Sequence, residues 1–110
     1  TVDLKNKING IGGRNQEAVL SAASRFEHLD DDVDFTITSF GTDGIDGNSQ
    51  AAGAVVNPVI LSRTTQKGLS ISKYLKNHDS NTFFNKVNSA LYTKITGTNV
   101  NDVSIVCRLK

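Results

Sequence analysis

The stretch Val33–Phe40, VDFTITSF, constrains this chain more than any other. Val33, Phe35 and Ile37 alternate with Asp34, Thr36 and Thr38, the period of two that turns one side of a strand to a core and the other to water. β-Branched and aromatic residues suit that pleated surface. The strand runs without a spacer into Gly41-Thr42-Asp43-Gly44-Ile45-Asp46-Gly47, so an acidic glycine loop is expected at a strand end. Upstream, Val19, Ala22, Ala23, Phe26 and Leu29 fall at the i, i+3, i+4, i+7 and i+10 positions of one apolar helix stripe. Glu17 lies in the first turn of that helix, where negative charge suits the dipole. The helix is expected to stop near His28–Leu29, before a solvated Asp30-Asp31-Asp32 turn.

Weaker patterns fill the remainder. Val2, Leu4 and Ile8 give Thr1–Ile8 a strand's alternation, broken by the glycines of Asn9–Gly13. Ala51–Val56 reads as helix from its small residues and as strand from Val55-Val56. Pro58 can open a helix through Val59–Lys67 with Gly68 as its stop. Two further helices are expected over Ser70–Asn77 and Asp79–Ala90, the second with Asp79 or Ser80 as N-cap and Phe83, Phe84, Val87 and Leu91 on its buried face. Tyr92–Ile95 and Val103–Leu109 read as closing strands around the turn Thr96–Asp102. Alternating strands and helices predict an α/β domain with a mixed, largely parallel sheet flanked by helices. In such sheets ligands gather at the carboxyl ends of strands. Three loops rich in glycine and small polar residues are expected there: Asn9–Asn15, Gly41–Gln50 and Thr96–Asp102.

The bulk numbers exclude several function classes. At 110 residues the chain is one domain, and 37% apolar with 6% aromatic residues implies thin layers or a core completed against something else. A formal charge of +1, with bases scattered along the chain, supplies no field for nucleic acid or an anionic membrane. No apolar run approaches the ~20 residues of a membrane span, and no signal peptide precedes the fold. Cys107 is alone in the apolar run Val103–Leu109, which reads as a buried thiol and a cytoplasmic setting. With one cysteine and two distant histidines no zinc site is indicated. The chain contains no methionine and starts at Thr1 inside an expected strand, as a cut at the amino-terminal edge of a fold would.

The three loops offer different chemistry. In Gly10-Ile11-Gly12-Gly13-Arg14-Asn15-Gln16-Glu17, a strand, a glycine turn and a helix start make a natural anion site, and Arg14 could add a charged contact. A tight turn with Arg14 paired to a nearby acid fits the residues equally. In Gly41–Gly47, Asp43 and Asp46 are hard-oxygen ligands suited to Mg²⁺, with Thr42 beside them. Either carboxylate could also orient or deprotonate a hydroxyl, and a plain Asp-Gly turn is the alternative. Thr96-Gly97-Thr98-Asn99-Val100-Asn101-Asp102 can grip a substrate hydroxyl or simply bond its own backbone.

In order along the chain, GGRNQE (Gly12–Glu17), GTDGIDG (Gly41–Gly47), AAGAVV (Ala51–Val56), HDSNTFF (His78–Phe84) and TGTNVND (Thr96–Asp102) resemble the carboxy-terminal MOFRL domain of the glycerate 2-kinase family. Some members of that family carry the label hydroxypyruvate reductase. The resemblance implies one small domain of a two-domain enzyme, lacking here its Rossmann-like amino-terminal partner. It further implies phosphorylation of the 2-hydroxyl of D-glycerate to 2-phosphoglycerate with ATP and Mg²⁺ in an interdomain cleft. By matching position, catalytic roles fall to Asp43, Asp46 and Arg14, and metal ligation to Asp43 and Asp46. Substrate or nucleotide contacts fall to Gly12, Gly13, Asn15, Thr42, Thr98, Asn99 and Asn101. Association of copies is left open. This chain has Asn48-Ser49-Gln50 where the family usually has Pro-Thr-Asp, Lys94-Ile95 in place of Gly-Pro, and His78 where Asn is frequent. Those departures keep a non-catalytic binding or structural module as an alternative, with a hydroxypyruvate reductase behind it.

Overall fold

The structure is a computed structural model that describes residues 10–26, 34–93 and 102–109. Its elements are α1 (Arg14–Phe26), β1 (Asp34–Gly41), β2 (Gly53–Val56), α2 (Pro58–Gln66), α3 (Ile71–Lys76), α4 (Ser80–Lys86), β3 (Ala90–Leu91) and β4 (Asp102–Leu109). The expected strand at Thr1–Ile8, Leu29, His28, Asp30–Asp32 and the loop carrying Lys94-Ile95, Thr98, Asn99 and Asn101 lie outside the described residues, as does the Cys107 side chain.

The sheet has the order β3-β2-β1-β4, and all three of these pairings are antiparallel. The expected largely parallel arrangement is therefore corrected. No helix intervenes between β1 and β2, so the chain turns back on itself and pairs Ile37 with Val56 and Ser39 with Ala54. Antiparallel neighbours can be joined by such a direct return, whereas parallel ones need a crossover. The ambiguous Ala51–Val56 segment is strand from Gly53.

Period two in β1 puts Phe35, Ile37 and Ser39 on the buried face. They meet Ala54 and Val56 of β2 and one core built from all four helices: Val19, Leu20 and Ala23 of α1, Ile60 of α2, Ile71 of α3, and Phe83 and Phe84 of α4. Phe26 stacks on Phe35 with centroids 5.0 Å apart, which ties the end of α1 to the start of β1. The opposite sheet face is more open, with Thr36 exposed, Val55 and Phe40 half-buried and Ile105 exposed.

Three short helices end the same way. Gly68, His78 and Asn88, each one residue past a helix cap, have φ of 66°, 52° and 60°. In each case the next residue's N–H reaches back into the last turn: Leu69 to the Thr64 carbonyl, Asp79 to Tyr74, Ser89 to Phe84. This is the left-handed closure that satisfies orphan carbonyls, best made by Gly and next by Asn. It turns the chain sharply at each helix end, so that α4 packs back on α3 while α2 lies against β1 and β2.

Candidate functional site

The glycine turn is clamped from two sides. On the acidic-loop side, the Gly12 N–H donates to Asn48 Oδ1 at 2.8 Å and Asn48 Nδ2 donates to the Gly10 carbonyl at 3.1 Å. The Asn48 N–H donates to the Gly12 carbonyl at 3.0 Å. On the α4 side, the Ile11 N–H donates to Asp79 Oδ1 at 3.0 Å, and the Asn81 N–H donates to the Ile11 carbonyl at 2.7 Å. Asp79 stands at the N-cap position of α4 as expected, but its carboxylate serves the glycine turn and Thr82 Oγ1 rather than a backbone N–H of its own helix.

Asp46 is the centre of the arrangement. Only 2% exposed, it lies under the amino end of α1. Its Oδ1 accepts from the Asn15 N–H at 2.9 Å and from Asn15 Nδ2 at 3.2 Å. Its Oδ2 accepts from the Gln16 N–H at 2.8 Å and from Gln16 Nε2 at 3.0 Å. The carboxylate thus caps α1 from across the fold, stabilised by N–H groups and by the helix dipole together. A Cβ on Gly13 would come within 2.4 Å of Asp46 Oδ1, so only glycine at this position lets the carboxylate in.

At the helix start, the N–H groups of Asn15 and Gln16 are taken by a side chain of the chain itself. The expectation for Asp46 is corrected: with four donors on its two oxygens, it has no free lone pair for Mg²⁺ or for a proton from substrate. Asn15, expected to face a cleft, is buried, bridging Asp46 and the Ser39 hydroxyl.

Asp43 is placed differently. It is half-buried, and Oδ1 accepts from the Ile45 N–H at 3.0 Å, a local turn typical of aspartate. Thr42 is half-buried beside it, and Arg14 is exposed at the first residue of α1. Among the described residues no group of three or more His, Cys, Asp or Glu converges to hold a metal. Mg²⁺ is commonly bound by one or two carboxylates plus substrate phosphates, and Asp43 fits that pattern where Asp46 does not.

Beside the glycine turn, His78 Nδ1 lies 3.5 Å from Glu17 Oε1, both side chains being half-buried. Burial pushes the Glu17 carboxyl above its ordinary range, with His78 and Ser80 acting in the opposite direction and the Asp46 charge adding to the rise.

Four residues were missed as site members: Gln16, Asn48, Ser49 and Asn81. Gln16 Nε2 also donates to Ser49 Oγ at 2.8 Å, and Gln16 Oε1 accepts from Asn81 Nδ2 at 2.8 Å. A signal existed for Gln16: it stands three, four and seven residues before Val19, Leu20 and Ala23, on the stripe where an apolar side chain belongs.

The MOFRL family matches residues 1–102. This chain belongs to the MOFRL family. Glycerate 2-kinase of Pyrococcus horikoshii is 40% identical over 105 residues, covering 96% of this chain and 23% of that protein. D-glycerate 2-kinase of Thermotoga maritima is 44% identical over 99 residues, 90% of this chain and 23% of that protein. The crystal structure of Thermotoga maritima glycerate kinase superposes with a TM-score of 0.83 at 41% identity, covering 97% of this chain and 25% of that one. The MOFRL domain described here therefore spans about a quarter of the length of the curated relatives it matches. No helix among its described residues is long and apolar enough to cross a membrane.

Proposed function

We propose that this MOFRL domain is the carboxy-terminal part of an ATP-dependent glycerate 2-kinase of the cytoplasm. The whole enzyme would transfer the γ-phosphoryl group of ATP to the 2-hydroxyl of D-glycerate, giving 2-phosphoglycerate and ADP. The observation that carries the reading is the near-complete match of the chain to one quarter of proteins named glycerate kinase. A larger amino-terminal domain would supply the other wall of the site.

Phosphoryl transfer rests mainly on positioning and electrostatics. In this reading Asp43 orients the attacking hydroxyl or holds Mg²⁺ together with the phosphates. Arg14, at the outer end of α1, binds phosphate or the glycerate carboxylate in the two-pronged way that guanidinium allows. Gly12 and Gly13 keep side chains away from the turn, and Thr42, Thr98, Asn99 and Asn101 contribute hydroxyls and amides. Asp46 and Asn15 act from beneath by fixing the start of α1.

The test is to combine this domain with its amino-terminal counterpart and follow ADP release with D-glycerate. Recovery of glycerate-dependent turnover is the expected result, with a loss of about a hundredfold in Asp43→Asn. No turnover from folded components would count against the kinase reading, and NADH oxidation with hydroxypyruvate would replace it by the reductase.

A further inference from the structure

The buried polar chain that begins at Asp46 continues well beyond the helix it caps. Gln16 is fully buried, and its whole amide is engaged, with Nε2 on Asp46 Oδ2 and Ser49 Oγ and Oε1 on Asn81 Nδ2. Asn81, 6% exposed, passes the chain on. Its Nδ2 also donates to the Tyr92 hydroxyl at 3.3 Å, and its Oδ1 accepts from Asn85 Nδ2 at 3.2 Å. The Tyr92 hydroxyl donates to Asn85 Oδ1 at 2.6 Å. Through its backbone N–H, Asn81 also holds the Ile11 carbonyl in the glycine turn.

The direction of every bond follows from one charge. A carboxylate can only accept, so Asp46 fixes Gln16 with Nε2 toward it and Oε1 away. That carbonyl oxygen in turn requires the Nδ2 of Asn81, which leaves Asn81 Oδ1 for Asn85. Buried amides with all positions filled are rigid, and inverting one of them places like atoms face to face. Asn81 is the node: it joins the glycine turn, the acidic loop through Gln16, and Tyr92, which opens the segment leading to the third polar loop.

We propose that Gln16 and Asn81 are positioning residues that hold the acidic glycine loop, the glycine turn and the segment after β3 in one fixed arrangement. The role rests on the kinase reading above. It touches neither substrate nor metal directly. Its chemistry is the one-way hydrogen-bond chain from Asp46 to Tyr92.

The experiment uses the full-length enzyme carrying this domain, assayed first unmodified. Asn81→Asp is nearly isosteric but sets a carboxylate oxygen against the Gln16 carbonyl. Tyr92→Phe removes only the exposed terminal hydroxyl and spares the core, so it guards against a simple failure to fold. The expected result is a fall in kcat of about tenfold or more for Asn81→Asp and a smaller fall for Tyr92→Phe, with KM for ATP and glycerate unchanged. Hydrogen–deuterium exchange should quicken in residues 41–50 in both variants, although Tyr92 is remote from them in sequence. Unchanged exchange there would overturn the proposed linkage. Faster exchange with an unchanged kcat would overturn the positioning role. An unmodified enzyme without glycerate kinase activity would remove the kinase reading and the positioning role with it, while the exchange measurement would still decide the linkage.

Discussion

The Asp46 carboxylate holds Gln16 twice, Oδ2 accepting its backbone N–H at 2.8 Å and its side-chain amide at 3.0 Å. One residue thus satisfies the start of α1 and orients the buried amide that follows. What reads in sequence as half of a paired-carboxylate metal motif is here a structural anion, and the two aspartates of GTDGIDG have separate duties. Asp43 is half-buried and bonds only its own turn through Oδ1 among the contacts described, whereas Asp46 is buried beneath the start of α1.

Asp46→Ala leaves two backbone N–H groups and two side-chain amides of Asn15 and Gln16 buried without their acceptor. Each stranded buried donor costs about 1–3 kcal/mol, so a total loss of about 3 kcal/mol or more is expected. Asp46→Asn retains one acceptor oxygen for Asn15 but turns an NH₂ group toward the Gln16 donors, and should fall between. Urea unfolding of the enzyme carrying the domain measures both. Were Asp46 a metal ligand instead, the Asn variant would weaken Mg²⁺ binding while leaving the unfolding midpoint in place.

Two glycines separate close approach from backbone strain. At Gly13 a Cβ would lie 2.4 Å from Asp46 Oδ1, while at Gly68, with φ of 66°, nothing lies within 4 Å. Gly68→Ala should therefore cost only the left-handed penalty of about 1–2 kcal/mol. Gly13→Ala has to displace the cap and should approach the loss of Asp46→Ala. Comparing the two unfolding midpoints tests the distinction, and equal small losses would show that the cap can shift at no expense.

The parts of the fold legible in sequence are those with a strong local period. The stripe Val19, Ala23 and Phe26, the alternation of β1, and Pro58 with Gly68 around α2 each depend on a few neighbouring residues and appear where expected. Strand direction was not legible, because it depends on what lies between strands in space. Helices α2, α3 and α4 follow one another between β2 and β3 as their patterns indicate, but nothing local to them reports that the strand after them pairs antiparallel with β2. Asp46 was legible as important but not as to its role. Its partners are 30 and 31 residues away, and no spacing rule within GTDGIDG reports whether a carboxylate points out or in. Asn48 and Ser49, read as departures from a family pattern, prove to be built into the clamp on the glycine turn and the buried chain.

Asn88 closes α4 at φ of 60° and is exposed. Alanine there carries the left-handed penalty without losing any buried contact, so Asn88→Ala should destabilise by about 1 kcal/mol. Asn88→Gly should be neutral or slightly stabilising by the same logic. Thermal unfolding of the pair isolates the backbone contribution. An Ala variant as stable as the Gly variant would mean that the turn after α4 is not held in the left-handed region.

Glu17 gives a pH dependence whose sign is fixed. Burial raises its carboxyl in the folded state above the ordinary glutamate range, His78 and Ser80 only partly offsetting this and the Asp46 charge adding to it. The folded protein therefore binds the Glu17 proton more tightly than the unfolded chain does. Stability from this group is fully present below the unfolded value and declines as pH rises through the folded one. Glu17→Gln removes that decline. The variant should match the parent in acid and become the more stable of the two once pH passes above the carboxylate range. Unfolding midpoints across this window decide it. A parent that instead gains on the Gln variant as pH rises would show that attraction to His78, and not burial, dominates the environment of Glu17.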